Sequence, residues 1–317
     1  MPRILLVKTS SLGDVVHNFP VVSDLVQAYS GVHIDWVVEE SYAALPLLHP
    51  GVRRAIPVAV RRWRGVLHKA ATWREMRAFA SALRRERYDS IVDTQGLFKS
   101  ATIARIARGR RYGLDWRASR EPLFPFYHRT FDVPRALHAV ERNRSLAAQA
   151  LGYTPAAAVD YGIHAVHREF SWLPGGPYAV LLHSTSASRK LWPETHWIAL
   201  ARDLRERGIA SVLPWGSAGE EARSRRLGVA IGDAVIPPGL DLPDAAALLA
   251  AARCVVGADT GLTHLAGALG VPTVGIYPAT DPGATGLHGC AQSANVGEGS
   301  APPDVESVKR ALWRLLE

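Results

Sequence analysis

The stretch Cys254-Val-Val-Gly-Ala-Asp-Thr-Gly-Leu-Thr-His-Leu-Ala-Gly-Ala-Leu-Gly270 constrains the fold more than any other, because a buried strand there runs directly into a helix start. Residues 254–256 predict a strand. Asp259 and Thr260 are of the type that caps helix amides, and Gly261 lets a ligand approach the backbone closely. Leu262, Leu265, Ala266 and Leu269 recur at helical spacing until Gly270 stops the helix, and an apolar strand follows at 272–277. The pattern predicts a βαβ unit. Free amides at such a helix start attract phosphate, and in open α/β sheets ligands sit at the carboxyl ends of the strands. An ordinary capped helix uses the same residues, so the rest of the chain must decide between the two.

Strand and helix signals alternate throughout. In the first half, apolar runs at 3–9, 33–38, 55–60 and 90–93 predict strands. Helices are expected at 15–30, 43–48 and 73–87, with another opening at Gln95. Residues 108–135 predict an irregular stretch rich in Arg, Pro and aromatics, followed by a helix at 137–151. The Pro-, Gly- and Ala-rich segment 152–177 predicts a boundary, giving domains at 1–155 and 156–317. The second half predicts strands at 178–183, 210–213 and 234–236, and helices after Pro193, at 220–227, at 242–252 and at 304–316. Such alternation implies parallel sheets with right-handed crossovers, hence an α/β protein of two Rossmann-like domains with a ligand cleft between them.

The 317 residues suit two domains at about 150 residues each, and 48% hydrophobic content is ample for two cores. No apolar run reaches the roughly 18 residues of a spanning helix, and the N-terminus enters a strand without a signal-like segment, so a soluble cytoplasmic protein is expected. Cys254 and Cys290 are the only cysteines, and no CxxC or HExxH spacing occurs. Neither disulfide, metal nor cofactor is therefore expected. Charge is uneven: residues 1–160 hold 24 Lys and Arg against 14 Asp and Glu, whereas 161–317 hold 13 against 15. An anionic partner for the first half follows, whether nucleic acid, a phosphorylated metabolite or an anionic membrane.

The chain has no GxGxxG after its first strand and no GxxxxGK[ST], which removes the main sequence support for a dehydrogenase or a P-loop ATPase. Candidate phosphate groups lie instead in the second half. The hydroxyls of Thr185 and Ser186, the ammonium of Lys190 and the amides near Thr260 and Gly261 would suit a diphosphate, while Glu220 could hold ribose hydroxyls. Each lies just past a predicted strand.

Together with Val7-Lys-Thr-Ser-Ser-Leu-Gly-Asp-Val-Val-His17, Arg61-Arg-Trp-Arg64, Asp93-Thr-Gln-Gly-Leu-Phe-Lys-Ser100, Ser119-Arg-Glu-Pro122, Lys190-Leu-Trp-Pro-Glu194 and Asp259-Thr-Gly-Leu-Thr-His264, the chain resembles, nearly end to end, the lipopolysaccharide heptosyltransferase I type of glycosyltransferase family 9. The resemblance implies a GT-B enzyme that moves L-glycero-D-manno-heptose from ADP-heptose to the first Kdo of Kdo2-lipid A with inversion. It implies Asp14 as general base and Lys190 as the diphosphate contact. Thr185, Ser186, Glu220, Leu240, Asp259, Thr260, Gly261 and His264 would form the donor pocket. Pro278 and Ala279 stand where the family usually has Gly-Pro, which bears on donor-pocket geometry and not on reaction class.

An acceptor bearing carboxylates and phosphates would meet Lys8, Ser11, Arg61, Arg62, Arg64, Gln95, Lys99, Arg120 and Arg144 in the basic half. Part of the basic excess would attract the anionic inner leaflet, giving a peripheral protein on the cytoplasmic face of the inner membrane. Asp93 and Glu39 are the other carboxylates near strand ends in that half. Rival readings are a transferase for a later core sugar, a nucleic-acid-binding protein and a GT-B-like sugar-nucleotide epimerase. The second lacks any reader motif, so no nucleic-acid partner is expected.

Overall fold

The computed structural model describes every residue except 186 and 300. The chain divides into two compact units, Met1–Ile163 and His164–Glu317, with the division inside the 152–177 segment. The first unit runs β1 (Arg3–Val7), α1 (Leu12–Val16), α2 (Phe19–Ala28), β2 (His33–Glu39), β3 (Val52–Val58), α3 (Val60–Arg64), α4 (Ala70–Arg84), β4 (Arg87–Asp93), α5 (Phe98–Ile106), β5 (Arg108–Leu114), β6 (Arg129–Phe131) and α6 (Ala139–Leu151). Its six strands are parallel, in the order β3-β2-β1-β4-β5-β6. Ile4, Leu5, Leu6 and Val7 are all buried because β1 sits mid-sheet with both faces covered, which is why it reads as an unbroken apolar run. Strand order reverses between β1 and β4. Neighbouring crossovers leave in opposite directions there and open a crevice at the strands' carboxyl ends.

The second unit runs β7 (Tyr178–Leu182), α7 (Glu194–Glu206), β8 (Ala210–Val212), α8 (Ala218–Ile231), α9 (Leu242–Ala250), β9 (Cys254–Ala258), α10 (Gly261–Ala268), β10 (Thr273–Ile276), α11 (Pro282–Thr285), β11 (Ser293–Val296) and α12 (Val305–Leu316). Its five parallel strands follow the order β11-β10-β9-β7-β8, with the reversal between β7 and β9. Val308 and Leu312 of α12 enter the same core as Trp192, Trp197, Val274 and Ile276, so the last helix is part of this unit.

Five local expectations change. The helix expected at 15–30 is two helices, α1 and α2, because Pro20 has no amide to continue the ladder. The helix expected at 43–48 is a pair of 3-10 turns, Glu40–Tyr42 and Pro46–Leu48, interrupted by Pro46. The stretch expected to be irregular holds β5 and β6; Arg108, Arg110, Arg111 and Arg129 obscure the apolar alternation there. The strand expected at 234–236 reduces to one bridge, Val212 with Val235, since Pro237 and Pro238 cannot donate to a ladder. Strand β11, Ser-Ala-Asn-Val, offers no apolar run and was not expected. Among the described residues no helix is long and apolar enough to cross a membrane.

Candidate active site

In the second unit the loops after β7 and β9, on either side of the order reversal, meet at Asp259. Its carboxylate is buried, and Oδ2 accepts from Lys190 Nζ at 2.7 Å and Thr280 Oγ1 at 2.6 Å. His264 Nε2 lies 3.7 Å from Oδ1, and Thr185 Oγ1 donates to the Asp259 carbonyl at 3.2 Å. Burial alone would raise the pKa of Asp259, but the nearby His264 ring and hydrogen bonds from Lys190 and Thr280 outweigh it and hold the carboxyl well below its usual range. Asp259 is thus a fixed anion that orients cations and hydroxyls, not a proton acceptor. An ammonium has three protons, so Lys190 keeps donors for a second anion after binding Asp259.

The turn itself is set by small residues. Thr260 is the N-cap of α10, and Thr263 Oγ1 donates to the Ala258 carbonyl at 2.7 Å. A Cβ on Gly257 would lie 2.1 Å from that Thr263 oxygen, so glycine is required for the helix to start so close to the strand. Glu220, in the first turn of α8, accepts from the Gly216 amide through Oε2 at 2.7 Å and is held beside the loop after β8. Leu240 is partly buried after the Pro237-Pro238-Gly239 turn, against whose Gly239 the Trp215 ring packs. Ser186, expected here, lies outside the described residues. His183 is fully buried with Nε2 on Ser224 Oγ and Nδ1 on Ser184 Oγ, both at 2.9 Å. Burial, aided by Arg223, pushes its pKa down to about 4, so it is a neutral structural residue at pH 7. Thr280 escaped sequence reasoning; the only signal was its place just beyond β10.

In the first unit the loops after β1 and β4 bracket the other reversal. Asp14 sits in the first turn of α1, and its Oδ2 accepts from Ser11 N at 2.7 Å and Ser11 Oγ at 2.8 Å. Among the described residues no hydrogen bond reaches Oδ1. Gln95 shapes the loop from beneath: its Oε1 accepts from Thr9 N at 3.0 Å and Ser10 N at 3.1 Å. Asp93 is fully buried with both oxygens engaged, Oδ1 by the Gln95 and Gly96 amides and Oδ2 by the Tyr127 hydroxyl. Burial raises its pKa against those bonds.

The cations expected on this unit fall into four groups. Arg64 and Arg120 are exposed and, among the described residues, have no carboxylate partner. Arg61 is exposed and lies over the Tyr42 ring, with Nη1 donating to the Tyr42 hydroxyl at 3.0 Å; Lys99 is half-buried with Nζ donating to Ser10 Oγ at 2.6 Å. Arg62 is exposed but gripped by Glu40 at 3.0 Å and Glu75 at 2.8 Å. The last two are corrections. Lys8 is buried, its ammonium held by the Thr94 carbonyl at 2.9 Å and Asn143 Oδ1 at 3.3 Å, so it ties the end of β1 to the loop after β4 and to α6. Arg144 is 3% exposed and forks onto Asp24, Nε to Oδ2 at 2.8 Å and Nη2 to Oδ1 at 2.9 Å. It is an interior ion pair and presents nothing to a ligand. Two other arginines hold the loop that presents Arg120: Arg142 Nη2 donates to the Ala118 carbonyl at 2.9 Å and Arg135 to the Ser119 carbonyl. Burial, then repulsion from Arg120 and Arg135, lowers the pKa of Arg142, as expected where positive charge is concentrated without acidic relief.

Each unit is thus a doubly wound parallel sheet, one with a carboxylate beside its order reversal and the other with a cation-flanked helix start. The family model described as glycosyltransferase family 9 (heptosyltransferase) matches residues 76–312. The chain is 45% identical over 292 residues to lipopolysaccharide heptosyltransferase 1 of Escherichia coli strain K12, covering 90% of this chain and 91% of that protein. The solved structure of E. coli heptosyltransferase WaaC with ADP superposes with a TM-score of 0.89 at 40% identity, covering 99% of both chains. The same enzyme with ADP-2-deoxy-2-fluoro heptose gives 0.87 at 40% identity, over 98% of this chain and 99% of that one. The chain belongs to glycosyltransferase family 9, the heptosyltransferases.

Proposed function

We propose that this enzyme transfers L-glycero-D-manno-heptose from ADP-heptose to the first Kdo of Kdo2-lipid A, inverting the anomeric carbon. The observation that carries the donor half is the Asp259 turn, where a lysine with protons to spare stands beside the free amides of α10. Lys190 and those amides take the diphosphate, Thr185 and Thr280 line its approach, and Glu220 takes ribose hydroxyls. Asp14 removes the proton from the attacking Kdo hydroxyl, the new bond forms at the heptose anomeric carbon, and ADP leaves from the opposite face. Negative charge growing on the leaving diphosphate is met by Lys190. Arg61, Arg64, Lys99 and Arg120 receive the acceptor's carboxylates and phosphates. Incubation with ADP-heptose and Kdo2-lipid A should add the mass of one heptose to the acceptor. A gain seen only with an acceptor that already carries heptose would assign the enzyme to a later core sugar.

Lys190→Ala should weaken ADP-heptose binding by about tenfold to a hundredfold, the range for losing a hydrogen bond to a charged group. Calorimetric titration with an unchanged dissociation constant would remove Lys190 from the donor site.

The basic excess of the first half further supports a peripheral position on the cytoplasmic face of the inner membrane, each basic group near an anionic leaflet contributing about 1 kcal/mol. The enzyme should therefore sediment with vesicles containing phosphatidylglycerol and be released by salt. Equal sedimentation with purely zwitterionic vesicles would count against this location.

A further inference from the structure

Glu39 is the last residue of β2 and is 1% exposed. Its amide donates to the Thr9 carbonyl at 3.1 Å, which joins the end of β2 to the loop that leads to Asp14. Its carboxylate turns the other way, and Oε1 accepts from the backbone amide of Arg61 at 2.9 Å. Arg61 lies in the first turn of α3, the helix that also carries Arg62 and Arg64. The N-cap of that helix is Ala59, which has no side chain able to cap. Glu39 supplies the missing acceptor from another strand.

The second oxygen is the unusual feature. Glu39 Oε2 is buried and, among the described residues, has no hydrogen-bond partner. A half-satisfied buried carboxylate is unfavourable unless nearby positive charge compensates for it. That charge is at hand. Lys99 is desolvated where it reaches Ser10, and after burial the largest influence on its ammonium is the Glu39 carboxylate, which favours the charged form. One buried carboxylate therefore touches the backbone of the arginine helix and lies within electrostatic reach of the lysine that holds the loop before Asp14.

We propose that Glu39 is a positioning residue for acceptor recognition, fixing α3 with Arg61 and Arg64, and Lys99 with Ser10, in one arrangement around the Asp14 loop. It does not itself meet the acceptor, since neither oxygen is exposed. This rests on the reading that the acceptor binds these cations. Its consequence is specific: loss of the Glu39 charge loosens acceptor binding while leaving the donor unit alone.

The test is steady-state kinetics of the full chain with ADP-heptose and Kdo2-lipid A at low salt, comparing Glu39→Gln, Arg61→Ala and Arg120→Ala with the parent. Gln keeps an oxygen for the Arg61 amide and removes only the charge. Glu39→Gln should raise the acceptor KM by about tenfold, as expected for losing a charge-assisted contact, with the ADP-heptose KM and the urea midpoint unchanged. A mere structural role would move the urea midpoint and both KM values together. If Arg61→Ala and Arg120→Ala raise the acceptor KM while folded Glu39→Gln does not, the positioning role is overturned and the acceptor face stands. If none of the three changes it, the acceptor face itself is wrong. Should Glu39→Gln not fold, Glu39→Met removes the charge with a side chain of similar length and volume; a parental acceptor KM in that variant overturns the role equally.

Discussion

Asp14→Asn is expected to fold normally, bind ADP-heptose as tightly as the parent and lose kcat by a factor on the order of 10² or more, the contribution typical of a general base. The geometry makes this substitution unusually informative. Asp14 does act as a cap, since its Oδ2 accepts both the amide and the hydroxyl of Ser11. Asn offers one carbonyl oxygen for that same cap at little cost in stability, so the loop should survive the change. What Asn cannot do is take a proton with its other atom, and Oδ1 is the oxygen the protein leaves unbonded among the described residues. Single-turnover rates measured beside a urea unfolding curve separate the two roles. A stable Asp14→Asn enzyme with near-normal turnover would reduce Asp14 to a cap. Asp93 would be a poor replacement, because both its oxygens are already occupied by Gln95, Gly96 and Tyr127. Glu39, the other carboxylate at a strand end of that unit, is no better placed, being 1% exposed with Oε1 on the Arg61 amide.

The parts of this arrangement that depend on local sequence were legible without coordinates. The run from Cys254 to Gly270 contains its own strand, cap and helix stop, and β9 and α10 follow it closely. Asp14 was implied by the resemblance carried by residues 7–17, and it lies in the first turn of α1, beyond the loop that follows β1. Chemistry that arises from distant pairing was not legible. Thr280 reaches Asp259 only because β10 lies beside β9, and nothing in its own neighbourhood marks it. Strands β5 and β6 were hidden by arginines, and β11 by having too few apolar residues to show a period. Charge misled most where burial decided the outcome. Lys8 and Arg144 have the composition of ligand contacts, yet both lie inside the first unit. A basic residue next to Asn143 or within a polar helix gives no sign of which face turns inward until the opposing helix is known.

Arg144→Ala separates these two fates of an arginine. Its guanidinium links α6 to Asp24 of α2 through two hydrogen bonds, touches Glu141 at 3.3 Å, and also donates to the Ala156 carbonyl, while the Ala156 amide donates to Asp24 at 3.2 Å. One ion pair thus joins two helices and pins the chain just past α6. Removing the arginine leaves Asp24, itself 5% exposed, as a buried carboxylate with one backbone amide for company. Breaking a buried pair in this one-sided way costs about 3–5 kcal/mol, far more than losing an exposed arginine. The expected result is a first unit that unfolds at clearly lower urea, measured by hydrogen exchange of the β1 and β4 amides, while the acceptor KM of the remaining folded enzyme stays near the parent value. Asp24→Asn with Arg144→Met should recover much of the loss, because it removes both charges together. An Arg144→Ala enzyme with parental stability and a raised acceptor KM would mean instead that this guanidinium leaves Asp24 to meet the acceptor, and that its buried position is one of two states.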